Sequence, residues 1–164
     1  MQNNLAITYS NLGRHEEALR LRREVYSGRL KLDGKEHENT LIAANNYGNC
    51  LLQLKRFEEV KALSRKVIPV ARRVLGENDD LTLRMRWIYA QSLYLDDDAT
   101  LDDLREAVST LEEIERTARR VMGGAHPLTE GIEDDLEHAR ALLRARETAL
   151  AEALAGMRVA DDEG

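Results

Sequence analysis

The sequence predicts an all-α solenoid of antiparallel helix pairs, about seven helices in all, and three observations carry that prediction. The first is internal repetition. With Leu5-Ala6 set over Tyr47-Gly48, the residues Arg14, Glu16, Glu17, Leu21, Val25, Gly34, Thr40 and Leu41 fall on Arg56, Glu58, Glu59, Leu63, Val67, Gly76, Thr82 and Leu83, at a constant offset of 42 residues. Self-similarity at a fixed period of about 20 to 50 residues marks a stack in which each unit hides its apolar face only against its neighbours. The second is apolar spacing of three and four, the period that gathers side chains on one helical face. The third is composition: 43% hydrophobic and 33% charged with sparse Gly and Pro, rich in Ala, Leu, Glu and Arg, which favours helix over strand.

The first helix is predicted from about Gln2 to Leu12, stopped by Gly13, whose missing side chain permits the turn. The second runs from His15 to Leu32 on the stripe Ala18, Leu21, Val25, and Asp33-Gly34 breaks it. The third opens near His37 and carries Leu41, Ala44, Tyr47, Leu51 and Leu54. The fourth begins at Phe57 and holds Val60, Leu63, Val67 and Val74 up to Gly76, with Pro69 inside it, where the missing backbone donor predicts a kink. The fifth starts after Asn78-Asp79 and ends before the loop-marking run Asp96-Asp97-Asp98. The sixth, from about Leu101 to Met122, matches the fourth at an offset of 47, which places five extra residues in that acidic loop. The seventh begins at Pro127, a residue suited to the first helical turn, and runs to about Gly156. No strand is expected. The domain is thus 1–156, with units at 2–36, 37–78 and 79–124 and a capping helix at 127–156, and 157–164 reads as a disordered acidic tail.

A net charge of −6 argues against general affinity for nucleic acid, which needs a net or clustered positive field. The charge is uneven: residues 1–94 hold 16 basic and 11 acidic side chains, residues 95–164 hold 8 and 19, consistent with a mildly basic groove followed by an acidic cap. One cysteine cannot close an internal disulfide, and no stretch approaches the roughly 18 apolar residues of a membrane span. A cytoplasmic protein without membrane contact is the expectation. Because Met1 is followed at once by a helix already in repeat register, the chain reads as a piece lacking an upstream repeat.

The pattern Asn4-Leu5-Ala6, Tyr9, Gly13-Arg14, Glu16-Glu17-Ala18, echoed by Asn45-Asn46-Tyr47-Gly48, Leu51, Arg56-Phe57-Glu58-Glu59-Val60, resembles the tetratricopeptide repeat in the long form found in kinesin light chains. The linkers Leu32-Asp33-Gly34-Lys35-Glu36-His37, Leu75-Gly76-Glu77-Asn78-Asp79 and Gly123-Gly124-Ala125-His126-Pro127 resemble that family's inter-repeat turns. The likeness covers roughly residues 2–135 and implies a right-handed solenoid. Relative to the standard unit of about 34 residues, the longer period implies second helices extended by about two turns. Val60 and Lys55 depart from the family's usual small residue and glycine, and without sustained heptads nothing implies a motor subunit.

Small residues at Ala6, Gly48 and Ala90 are expected to let paired helices approach, and Cys50, equivalent to Thr8 and Ser92, is expected to be a packing residue. The face of each leading helix opposite its packed stripe should line the concave side. Rotation by about 100° per residue turns Asn45, Asn46, Asn49 and Gln53 toward it, with Arg84, Trp87 and Gln91 from the fifth helix and Asn3, Asn4 and Asn11 from the first. Amides that both donate and accept can pair with the backbone of an extended peptide. Arg84 would hold a carboxylate, and Trp87 would offer an aromatic surface. The resemblance implies the same, since in that family asparagine and basic residues at matching positions contact bound peptide.

Two other readings remain. His126, Glu130, Asp134 and His138 recur every four residues, a metal-site spacing, yet His37, Asp79 and His126 are repeat equivalents just before a helix, which argues for capping instead. No nucleophile turn or glycine-rich phosphate loop is present, so neither an enzyme nor a metal or other cofactor is expected. The expected partner is a protein or peptide ligand; the alternative is a structural fragment that self-associates through an uncapped N-terminal end or joins a longer array.

Overall fold

The computed structural model describes residues 14–162, and every element among them is an α-helix. The elements are α1 (His15–Leu32), α2 (Glu38–Gln53), α3 (Phe57–Val74), α4 (Asp80–Tyr94), α5 (Leu101–Met122) and α6 (Pro127–Asp162). They correspond to the second through seventh predicted helices. The first predicted helix, its Asn3, and the N-terminal end proposed for self-association lie outside the described residues.

Helix starts follow local chemistry. His37 and His126 accept backbone N–H bonds through Nδ1, from Asn39 at 3.1 Å and from Leu128 at 3.2 Å, and Asp79 Oδ1 accepts from Leu81 at 2.9 Å. Each satisfies one of the amides a helix leaves unpaired in its first turn. These three residues are the repeat-equivalent positions, so the repetition records a capping job. Thr100 and Asp103 close a reciprocal capping box on α5. At the ends, Gly34, Gly76 and Gly123 adopt left-handed φ of 83°, 97° and 91°, conformations that a side chain would strain. Lys55, at φ 57°, stands where the first unit has Gly13.

α3 continues unbroken through Pro69, which sits on its exposed side. The acidic tail expected from residue 157 does not begin there: α6 stays helical to Asp162, because Gly156 is a lone weak point in an alanine-rich stretch with no proline to stop it.

The stack has two layers. Among the described residues α2 packs on α1, α3 and α4, and α4 packs on α2, α3, α5 and α6, whereas α1, α3 and α5 touch no other member of their own set. The layer α2, α4, α6 is therefore the closer-set one, which puts it on the concave side. The outer helices α1 and α3 are longer, 18 residues each against 16 and 15 for α2 and α4.

Leu41, Ala44, Val67, Ala71 and Met85 form one cluster among α2, α3 and α4, Leu51, Val60 and Cys50 another with α1, and the largest joins α4, α5 and α6 through Leu83, Leu93, Leu111, Ile114 and Ile132. A Cβ added at Gly48 would stand 3.6 Å from Leu63 and 3.8 Å from Ile88, ordinary contact, so the position requires a small residue rather than glycine itself. That is why alanine serves at its equivalent, Ala90, which is fully buried.

α6 closes the stack differently. Leu83, Ala90 and Leu93, which bury α4 against α5, correspond 47 residues on to Glu130, Glu137 and Arg140. The outward side of α6 is thus charged where α4 is apolar, and suits water rather than another helix.

Candidate peptide-binding face

The inner layer brings two ranks of residues together across successive helices. Asn49, Gln91 and His138 are repeat equivalents one turn apart from the packed stripe, and Ile42 and Arg84 form the second rank. Asn49, Arg84 and His138 are exposed, Ile42 is 39% exposed, and Gln91 is half-buried. Arg84 is held one turn back by Asp80, Nε to Oδ2 at 2.6 Å, a surface pair that solvent screens and a ligand carboxylate could displace. Asn46 is half-buried as well.

Trp87, the repeat equivalent of Asn45, turns instead toward the next inner helix. Trp87 donates its indole N–H to Asp135 Oδ2 of α6 at 2.6 Å, and its ring lies so close to Gly131 that a Cβ there would meet it at 2.6 Å. Gln91 donates to the same oxygen at 2.8 Å, and the Tyr94 hydroxyl bonds that carboxylate too. Burial, reinforced by this acceptor, pushes the Tyr94 pKa far above the ordinary tyrosine range, so the phenol stays a donor. The Tyr94 ring in turn stands 5.6 Å from the His138 imidazole. The expected aromatic platform of Trp87 is therefore spent largely on the α4–α6 joint. At the α2–α4 joint the residue equivalent to Asp135 in this pairing is the apolar Ile88, and Asn45 Oδ1 is shut from solvent with no hydrogen-bond partner.

Asp135 is an inner-layer residue that the sequence reading passes over, and His138, weighed there only as a metal ligand, stands beside Tyr94 instead. The four-residue spacing drew attention to Asp134, which is exposed, while Asp135 beside it faces α4. The signal was present in the register: a carboxylate aligned with Ile88, opposite three donors at spacings of four and three on α4.

Other polar groups have structural work. Arg86, on a packed face, is 9% exposed and reaches out between Glu113 of α5 and Glu77, whose Oε2 is 3.6 Å from Nη1. Lys61, 5% exposed, lies 2.8 Å from Glu58 and 3.4 Å from Asp96, which ties the acidic loop to α3. Cys50 is buried and burial pushes its thiol pKa up, away from the reactive thiolate. No cluster of His, Cys, Asp or Glu among the described residues has the arrangement of a metal site, and no described helix is long and apolar enough to cross a membrane.

Residues 1–73 match the family model of the tetratricopeptide repeat. No curated protein matches the sequence. Among solved structures, the fold resembles a Podosopora anserina protein described as a kinesin light chain with nearly identical TPR-like repeats, at a TM-score of 0.77 and 19% identity over 96% of this chain and 74% of that one. A single-substitution variant of the same repeats aligns with a TM-score of 0.52 at 16% identity, over 99% of this chain and 95% of the other. At such identities the likeness is one of fold.

Proposed function

We propose that this chain, a tetratricopeptide-type solenoid with the repeat architecture of the kinesin light chain kind, is a non-enzymatic scaffold that binds a peptide segment of a partner protein along its inner face. The observation that carries the reading is that Asn49 and Arg84, one from each of the two ranks on neighbouring inner helices, are both exposed on the same layer. Amides offer donor and acceptor to a peptide backbone, and the guanidinium offers a fork to a side-chain carboxylate. Asn46 and Gln91 flank these two side chains, Trp87 contributes its exposed edge, and Asn3 is the first-unit equivalent of Asn45 and Trp87. A cytoplasmic setting accords with the single buried thiol.

The test is capture from a library of acidic and aromatic peptides by the wild type and by Asn49→Ala/Arg84→Ala. Since both side chains are exposed, the variant should keep its melting temperature and lose about tenfold or more in affinity. Equal capture by the two proteins would refute the inner face as the binding surface.

A further inference from the structure

On the opposite, outer side of the stack, a cleft of about 190 Å³ opens between α1 and α3, with α2 as its floor. Leu41, Val67 and Val70 line it, Thr40 is buried at its base, and Lys35 and Lys66 stand exposed at its mouth. Neither lysine makes a hydrogen bond or ion pair among the described residues.

The corresponding place one unit further on, a cleft of about 390 Å³ between α3 and α5, carries the opposite charges at its flanks. There Ala44 is replaced by Arg86, Lys35 by Glu77, Lys66 by Glu113 and Leu30 by Arg72; Arg86 pairs with Glu113 and Glu77, and Glu77 also pairs with Arg72. The first level is the inverse: the inner cation is an alanine, and both outer carboxylates are ammonium groups. Both levels thus hold an open cleft, but between α3 and α5 the two flanking carboxylates are neutralised by arginines of the chain itself, whereas here the two flanking ammonium groups are unpaired.

We propose that this cleft is a binding site for a carboxylate on a short apolar stem. The stem would lie on Leu41, Val67 and Val70 while Lys35 and Lys66 hold the carboxylate, since two ammonium donors converging on one anion favour it over a neutral isostere. Thr40 Oγ1 has no partner and can donate to the ligand, although Thr82 and Thr129 are equally unpartnered. The hydroxyl is thus a repeated feature the site uses, and the charge inversion is what selects the ligand. The carboxylate could be that of a free short-chain acid or of a glutamate side chain in a peptide.

Backbone amide shifts of the intact protein, followed by NMR at fixed ionic strength, test this with butyrate, butyramide and a capped Leu-Glu-Leu tripeptide. Butyrate or the tripeptide should move the Thr40, Leu41 and Val67 resonances saturably, and about tenfold more tightly than butyramide does. Saturation by the tripeptide alone assigns the source to a peptide side chain; saturation by butyrate admits the free acid. Lys35→Gln/Lys66→Gln, both at exposed positions, should weaken the response by about tenfold while leaving the spectrum otherwise folded. Lys35→Glu/Lys66→Glu, which reverses both flanking charges, should abolish it. Equal response to butyrate and butyramide, an unchanged response in the lysine variant, or no shift with either carboxylate would overturn the proposal. Peptide capture on the inner face is unaffected by any of these results.

Discussion

Asp135 concentrates on one carboxylate the donors of Trp87, Gln91 and Tyr94, and so ties α6 to α4 with charge-assisted bonds. Truncating it strands three partly buried donors. Asp135→Ala should therefore cost about 2–4 kcal/mol in denaturant unfolding, whereas Asp134→Ala, exposed next door, should stay within about 0.5 kcal/mol of wild type. Comparable losses from the two would mean the carboxylate does not hold the joint. This contact was illegible in the sequence because its partners lie 44 and 48 residues away, and which of two adjacent aspartates points inward depends on how α6 is rotated against α4. Cys50, by contrast, was legible: its repeat equivalents are all small, which already marks a packed position. Arg86 gave no such sign, since the Glu113 that neutralises it belongs to a helix beyond the acidic loop.

Among the elements, helix boundaries were the most readable feature, because capping is chemistry between residues two or three apart. Asp79→Ala should cost about 1 kcal/mol through α4, and Thr100→Ala a similar amount through α5, both read from equilibrium unfolding. Losses below a few tenths for both would show that tertiary packing alone sets those starts. Pro69 lies on the exposed side of α3, where its missing donor interrupts one bond without ending the helix, which Val67 and Ala71 anchor in the core. The end of α6 shows a limit of local rules. An acidic, polar composition after residue 157 argued for disorder, but nothing in Ala-rich sequence terminates a helix already propagating from a docked first half.

For the molecule as a whole, stability in a stack is distributed among neighbour contacts, and α4 has the most neighbours, touching α2, α3, α5 and α6. Amide exchange should consequently be slowest in α4 and in the facing turns of α5, and faster in α1 and in the far half of α6, where Leu150, Leu154 and Met157 are 49%, 52% and 66% exposed. Uniform protection along the chain would contradict this gradient. By itself the sequence determined the repeat period, the helix pairs, the capping residues and the small packed positions, because each of these is set by residues close in the chain or by a spacing that recurs. Only the tertiary structure decided which polar side chains of the inner layer remain open to a ligand. Asn49 and Gln91 hold the same place in successive units, yet Gln91 meets Asp135 and Asn49 meets solvent, since the rotation and spacing of neighbouring helices, rather than local sequence, determine what stands opposite each residue.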